Sequence, residues 1–425
     1  MRIAYIAPYQ GASLVRRRPS LLNLSLGARA KIELISELLR RNSNEVEILS
    51  QAEVDKYEFR FYPSLKETDP FHPDIPAYYA SAFPVRFICG FWSNFRMRRL
   101  LRARHKVSPY DLVIIYNMKR AQIACANYAR QRLGLPVILD YGDDNFVAYE
   151  GDRFVTTLPQ QIVKRLAAKY HTFMCRKEMK MMSGCMAVTP YLLSQLPSSI
   201  PQLLLRGVVS EEIVNANSRA KGVRRNWVIF SGTHSRPQGL EKLIEAWGMA
   251  RLPDWELHIA GHGEMTATLE KLAENNRTII FHGLVSREEN ARLLRTARIG
   301  VVPFDVCQIP GRGFAFKTIE CLAAGVHVIT TPMGFLEPEL EAGITYMPDN
   351  RPSTIATTLK KVVENRQYER HAENAAVERC GPAAALRSLD LFLKQVMTSR
   401  AKNKCRRSLP SVIKGVLVRV IVPNH

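Results

Sequence analysis

The sequence has no CxxC pair. Its eight cysteines stand singly in mostly apolar stretches, which argues against a disulfide framework or a zinc module and for a reduced, cytosolic protein. No apolar run reaches the roughly 18 residues that a membrane-spanning helix needs. The nearest, Val416 to Val422, is short and carries Arg419. The opening residues lack the long apolar core and small-residue cleavage site of a signal peptide, because Arg2 is followed only by IAYIAP. The first strand is not followed by GxGxxG, so nothing specifies a dinucleotide. Acid is missing over two long stretches, between Asp74 and Asp111 and after Asp390.

What is present is length, apolar content and positive charge. The chain has 425 residues, 46% hydrophobic, with a net charge of +21. That suffices for two domains and a tail. The charge favours an anionic partner: a phosphorylated ligand, an acidic membrane surface or nucleic acid. No nucleic-acid-binding module is recognisable, so nucleic acid is the weakest of the three.

Arg2 to Ala7 is a short apolar run that suits a buried parallel strand. It breaks at Pro8 to Gly11, and Arg16, Arg17 and Arg18 follow in a loop. The apolar spacing of Leu26, Ala30, Leu34, Ile35 and Leu38 predicts a helix over 24–41, and Glu45 to Leu49 a second strand. Strand, glycine turn, helix and strand make a βαβ unit, hence a parallel sheet. Gln51 to Pro84 reads as irregular. Further strands are expected at Asp111–Tyr116, Pro136–Asp140, Cys185–Thr189 and Gln202–Leu205. Ligands in such sheets sit beyond the carboxyl ends of strands. Asp143 and Asp144 follow one such end, and serve either as reacting or substrate-contacting groups or as a cap for the next helix.

Arg206 to Asn226 is a largely polar connection. After it a second α/β unit begins at Trp227, and each of its strands closes in Gly or Pro. Gly232, Gly261 and Gly283 are among these closings, which form one permissive rim. The last of these units runs from Gly311 to Gly325, GRGFAFKTIECLAAG. Glycines lead a helix with an apolar face of Phe316, Ile319, Cys321 and Leu322. Lys317 and Glu320 are its only charges, three apart and so on one side. A glycine-led helix N-terminus is an anion site; the plainer reading is a buried helix with one exposed ion pair.

Two basic segments have two readings each. Pro84 to Pro109 combines Phe87, Phe91, Trp92 and Phe95 with six arginines and a lysine. It suits an interfacial membrane contact, or an amphipathic helix whose aromatics enter the core. The tail after Asp390 carries eight Lys and Arg residues with Val412, Ile413, Val416 and Leu417 among them. It suits an anionic membrane surface, or a solvated tail.

Four segments of the C-terminal half resemble the family-4 (group 1) glycosyltransferases of the GT-B fold, in the family's order. They are FSGTHSRPQGLEKLIEAW from Phe230, WELHIAGHGEM from Trp255, IIFHGLVSREENARLLRTARIGVVPF from Ile279 and GFAFKTIECLAAGVHVITTP from Gly313. They cover roughly a sixth to a fifth of the chain. The N-terminal half matches more loosely, through MRIAYIAPYQG, YDLVIIYN, GLPVILDYGDD and CMAVTPYLLSQL.

The resemblance implies an α/β protein of two facing Rossmann-like domains with a cleft between them. The acceptor-binding domain would span 1–205, a linker 206–226, the donor-binding domain 227–385, and a C-terminal helix and basic tail 386–425. It implies a retaining transfer from a sugar nucleotide, with no metal or other cofactor. The acceptor would be a glycolipid or polysaccharide of cell-surface glycan biosynthesis, and the protein would sit peripherally on the cytoplasmic face of the inner (plasma) membrane. Basic groups and helix N-termini would stabilise the diphosphate leaving group, and Glu320 would grip the ribose hydroxyls. The candidate catalytic groups are Asp143, Asp144, Lys317 and Arg236. The candidate donor contacts are Gly11, Gly232, Thr233, His234, Gly261, His282, Arg312, Gly313, Phe314 and Glu320.

Three positions depart from the family pattern. Its basic pair falls on Thr233 and Gln238, with His234 and Arg236 the nearest substitutes. Its upstream acidic residue falls on Arg312, which suits either a donor bearing a carboxylate or a pyrophosphate contact. Its acceptor-side histidine has no clear counterpart, and Asp143 or Asp144 occupies that region. The first two departures keep open a non-catalytic sugar-nucleotide-binding or scaffold protein.

Overall fold

A computed structural model describes residues 1–18, 26–52, 54, 60–69, 72–83, 89–144, 158–219, 223–305, 313–332, 336–369 and 371–408. Arg312, Phe87 and residues 409–425 lie outside them, and with these the expectations for Arg312 and for the basic tail beyond Ser408.

The N-terminal half is built on eight strands: β1 (Arg2–Ile6), β2 (Glu45–Ser50), β3 (Leu65–Asp69), β4 (His72–Tyr79), β5 (Leu112–Tyr116), β6 (Val137–Tyr141), β7 (Gly184–Ala187) and β8 (Gln202–Leu204). Their order is β3-β4-β2-β1-β5-β6-β7-β8, parallel throughout except for β3, which runs antiparallel to β4. Every residue of β1 is buried, with Ile3 and Tyr5 in one core and Ala4 and Ile6 in the other. Burial on both faces explains why this strand reads as an unbroken apolar run.

The C-terminal half carries a wholly parallel sheet of β9 (Trp227–Ser231), β10 (Glu256–Ala260), β11 (Ile279–Gly283), β12 (Ile299–Val302), β13 (His327–Thr330) and β14 (Ile344–Tyr346). Its order is β11-β10-β9-β12-β13-β14. Two parallel sheets, each with helices on both faces, give the expected α/β class.

Several local expectations change. Strands β3 and β4 lie inside the stretch read as irregular. Ile75, Ala77 and Tyr79 do alternate into the core, but Pro73 and Pro76 interrupt the pattern that would have shown it. Arg16 and Arg17 belong to a helix, Ala12–Arg17. Arg18 is buried after it and donates to the carbonyls of Ala52 and Ala80, each at 3.0 Å. The stretch 206–226 contains a helix, Glu211–Arg219, whose Ile213 is buried in the C-terminal core.

The final helix, Pro382–Ser408, returns to the first half. Leu389, Phe392, Leu393 and Val396 pack into the N-terminal core. Gly184 on β7 permits this approach, because a Cβ there would come within 2.7 Å of Val396. Phe392→Ala should therefore destabilise the N-terminal sheet by about 3–5 kcal/mol. Urea unfolding followed by far-UV circular dichroism measures it.

Candidate functional site

A cleft of about 890 Å³ lies between the two halves and is lined by both. From the C-terminal half it receives the rim that the glycines make. Gly232 and Gly261 have φ of +152° and +127°. A Cβ on Gly261 would lie 1.8 Å from the carbonyl oxygen of Gly232, and one on Gly232 would lie 2.8 Å from Lys317 Nζ. Only glycine allows the two strand ends to close on each other and present backbone to the cleft.

The helix Phe316–Ala323 starts at this rim. Its inner face is the expected core, with Ile319 and Leu322 fully buried. Lys317 and Glu320 are half-buried and both line the cleft, so they are not the exposed ion pair of the plainer reading. Lys317 Nζ donates to Gln238 Oε1 at 2.6 Å and stands 3.9 Å above the Phe230 ring. Burial pulls its ammonium down from the ordinary 10.5 to about 7. Burial likewise pushes the Glu320 carboxyl up from 4.5 to about 7. Each charge is partly withdrawn from water, and among the described residues neither has an ion-pair partner, a pattern that marks candidate functional sites.

From the N-terminal half comes Asp143. Asn117, at φ +58° just beyond β5, accepts from the backbone N–H groups of Gly142 and Asp143 at 2.7 and 3.1 Å. Asparagine tolerates that left-handed conformation. Two neighbouring strand ends are thereby locked together, and Asp143 bridges by backbone to Gly313 of the opposite half. Its carboxyl opens to the cleft, yet the protein packed around it raises its pKa above the ordinary carboxylate value.

Gly232, Thr233, Gly261, Gly313, Phe314, Lys317 and Glu320 thus meet Asp143 in one cleft. Thr233 accepts from the Leu26 N–H at 3.1 Å, tying the rim to the opposite half. Five other expected residues do not line the cleft. His234 is wholly buried beneath it, with Nδ1 3.0 Å from Thr266 Oγ1 and a pKa lowered by burial to about 4. His282 stacks on His258 at the side of β10. Arg236 is exposed on a short 3-10 turn. Asp144 is half-buried beside Asp143. Gly11 leads a helix whose first amides, on Ser13 and Leu14, already donate to Glu67 at 2.7 and 3.1 Å.

Residues 225–365 match the family model described as glycosyl transferases group 1. The GDP-mannose-dependent alpha-(1-6)-phosphatidylinositol dimannoside mannosyltransferase of Mycobacterium tuberculosis is 29% identical over 173 residues, 38% of this chain. The match spans 43%, less than half, of that relative's length. Sucrose-phosphate synthase from Thermosynechococcus elongatus superposes with a TM-score of 0.63 at 15% identity, over 94% of this chain and all of that one. The Anabaena HepE structure in complex with UDP-glucose gives 0.60 at 11% identity, over 93% and 99%. The chain carries a group 1 glycosyltransferase domain on a GT-B fold.

Three cleft residues, Lys31, Glu33 and Arg287, escaped the sequence reading. Arg287 donates to Glu33 at 2.7 Å across the cleft, and Lys31 lies 2.5 Å from Asp140, which is wholly buried beneath it. Only the facing of the two halves brings the first pair together. Lys31 and Glu33 looked like ordinary charges on an amphipathic helix, yet both are buried.

Lys317 offers a direct test of whether this site is kept for stability. Its folded pKa lies below the unfolded one, so the folded chain binds fewer protons between about 7 and 10.5. The resulting penalty is full below about 7 and fades toward 10.5. Lys317→Met should therefore raise the melting temperature, most at pH 6 and least at pH 9, by differential scanning fluorimetry.

Proposed function

We propose that the protein is a retaining glycosyltransferase that moves a sugar from a sugar nucleotide, held by the C-terminal half, to an acceptor held by the N-terminal half. One observation carries this reading. Lys317 and Glu320, one turn apart on one helix, carry shifted pKa values in opposite directions and face Asp143 across the cleft.

The chemistry follows from the charges. The donor's diphosphate sits against the side-chain-free backbone at Gly232 and Gly261, which line the cleft, and beside Lys317. As the bond to the sugar breaks, this group gathers negative charge, and Lys317 with the adjoining helix N-terminus stabilises it. Glu320 accepts from two ribose hydroxyls. Asp143, made more basic by its surroundings, accepts a hydrogen bond from the incoming hydroxyl. No metal is called upon.

The acceptor we propose is a lipid-linked glycan or polysaccharide precursor at the cytoplasmic face of the plasma membrane. The excess of basic residues supports it, as does the relative that acts on phosphatidylinositol dimannoside. The attachment we propose is peripheral; among the described residues no helix is long and apolar enough to cross a membrane. Thr233 and Gln238, standing where the family carries a basic pair, favour one second reading, a protein that binds the donor without turnover. Against it, Gln238 keeps Lys317 in place for the diphosphate.

A thermal-shift screen with UDP-, GDP- and dTDP-sugars should find one nucleotide that stabilises the protein. Lys317→Ala and Glu320→Ala should each reduce transfer by about 100-fold or more with the fold intact. Normal turnover in both would overturn the donor-site assignment, and donor binding without any turnover would favour the second reading.

Nucleotide affinity should peak near pH 7. The diphosphate requires a protonated Lys317, so affinity falls as pH rises past about 7. The ribose requires an ionised Glu320, so affinity falls as pH drops below about 7. Isothermal titration calorimetry should show Lys317→Met without the alkaline limb and Glu320→Gln without the acid one.

A further inference from the structure

Three helices cover one face of the N-terminal sheet: Cys89–Val107, Arg120–Arg132 and Leu158–Met179. They share one apolar core, through Met97 and Leu101, Cys125 and Ala129, and Cys175 and Met179. Among their residues the one carboxylate is Glu178. It is fully buried and spent on Arg130 at 2.8 Å and Asn127 at 2.9 Å. This layer therefore offers solvent no negative charge at all.

It does offer aromatics. On Cys89–Val107, Trp92 turns inward, where its Nε1 donates to the Ser81 carbonyl at 3.2 Å and its ring meets Phe61 and Phe83. Phe91 and Phe95 point the other way, 80% and 50% exposed. Arg98, Arg99, Arg102 and Lys106 continue the same exposed stripe at helical spacing. Arg104 leaves it and pairs with buried Glu47 at 2.7 Å. The segment thus sends Trp92 toward the sheet, as an amphipathic helix would, and leaves Phe91 and Phe95 exposed.

The second stripe was not anticipated. On Leu158–Met179, Leu166, Tyr170 and Phe173 follow an i, i+4, i+7 spacing and are 62%, 66% and 62% exposed. Lys169, Arg176 and Lys177 flank them, and Lys180 follows in the next turn, all exposed. Large apolar side chains this exposed have left water only if something covers them.

We infer that this helical face docks on an anionic lipid bilayer, with the aromatic and leucine side chains at the acyl boundary and the basic ones over lipid phosphates. Charge complementarity selects the partner: a single-sign basic face wants an anionic surface. The apolar stripes select lipid over nucleic acid, because leucine and phenylalanine side chains gain nothing from a phosphate backbone. Topology gives the docking a purpose that rests on the proposed transfer. The helix Cys89–Val107 precedes β5 and runs against the parallel strands, its first turn meeting Ser81 beyond the end of β4 through Trp92 and its last turns meeting Glu47 on β2 through Arg104. Its first turns, with Phe91 and Phe95, therefore stand at the strand ends from which Asn117 and Asp143 enter the cleft. A lipid-borne acceptor would reach Asp143 from the surface on which the protein rests.

The full chain should cosediment with vesicles of phosphatidylglycerol and phosphatidylcholine and not with phosphatidylcholine alone. Phe91→Ser with Phe95→Ser, and separately Leu166→Ser with Tyr170→Ser and Phe173→Ser, should each weaken this binding by about tenfold or more. These side chains are exposed and distant from Lys317, so the thermal shift with sugar nucleotide should be unchanged, which also certifies the fold. Vesicle binding equal to the unaltered protein in both variants would overturn the proposal. So would displacement of the protein from vesicles by duplex DNA at matched phosphate concentration. Vesicle binding lost in the variants, in a protein that answers to no sugar nucleotide, would sustain the docking face and sink the transferase reading.

Discussion

An ammonium ion rests on a buried phenyl ring with a neutral amide as its hydrogen-bond partner. Lys317, Phe230 and Gln238 make this arrangement, and much of the cleft follows from it. A carboxylate in place of Gln238 would satisfy the charge and remove its attraction for a diphosphate. A lysine there would repel it. The amide orients the ammonium without neutralising it. Gly232 must lack a side chain because a Cβ would strike Nζ at 2.8 Å, and Gly261 must lack one because the chain turns back against Gly232. The glycine rim, the helix start and the lysine are one constraint seen from three sides.

The opposite wall is held as firmly, by different means. Asn117 ties β5 to β6, and the strand ends deliver Asp143 to the backbone of Gly313. Arg287 to Glu33 and Arg206 to Glu337 add ion pairs, the first joining the two halves. The final helix then crosses back to seal the core of the first half. The two sheets are therefore not beads on a linker. The stretch that looked like a polar connection is partly core, and the C-terminal segment belongs in packing to the N-terminal sheet.

The parallel sheets were legible because buried strands read as apolar runs closed by Gly or Pro. The helix from Phe316 was legible because its apolar face and its two charges separate at helical spacing. Proline hid β3 and β4. His234 and Arg236 were expected in the cleft and do not line it, because both follow a strand end, where sequence cannot distinguish a side chain facing the cleft from one turned under it. His234 fills the interior against Thr266, and Arg236 is exposed on a short 3-10 turn. Glu33 and Arg287 lie 254 positions apart and meet only through the facing of two sheets. No local pattern reports such a pair.

The same logic separates the two stripes of exposed aromatics. Phe91 and Phe95 sit in a segment whose missing acids make it conspicuous, so the sequence raised the question and the structure answered which rings face out. Leu166, Tyr170 and Phe173 sit in a helix whose charges are basic but for buried Glu178. Their spacing suits a core face equally well, and only the position of Cys175 and Met179 on the opposite side decides that the core is elsewhere. With both faces assigned, the N-terminal half has one side committed to the final helix and the other left open, basic and aromatic. The open side adjoins the strand ends that carry Asp143. An acceptor held in a lipid surface and a donor held by Lys317 and Glu320 would then approach the cleft from different directions. A transferase needs that separation if neither substrate is to block the other.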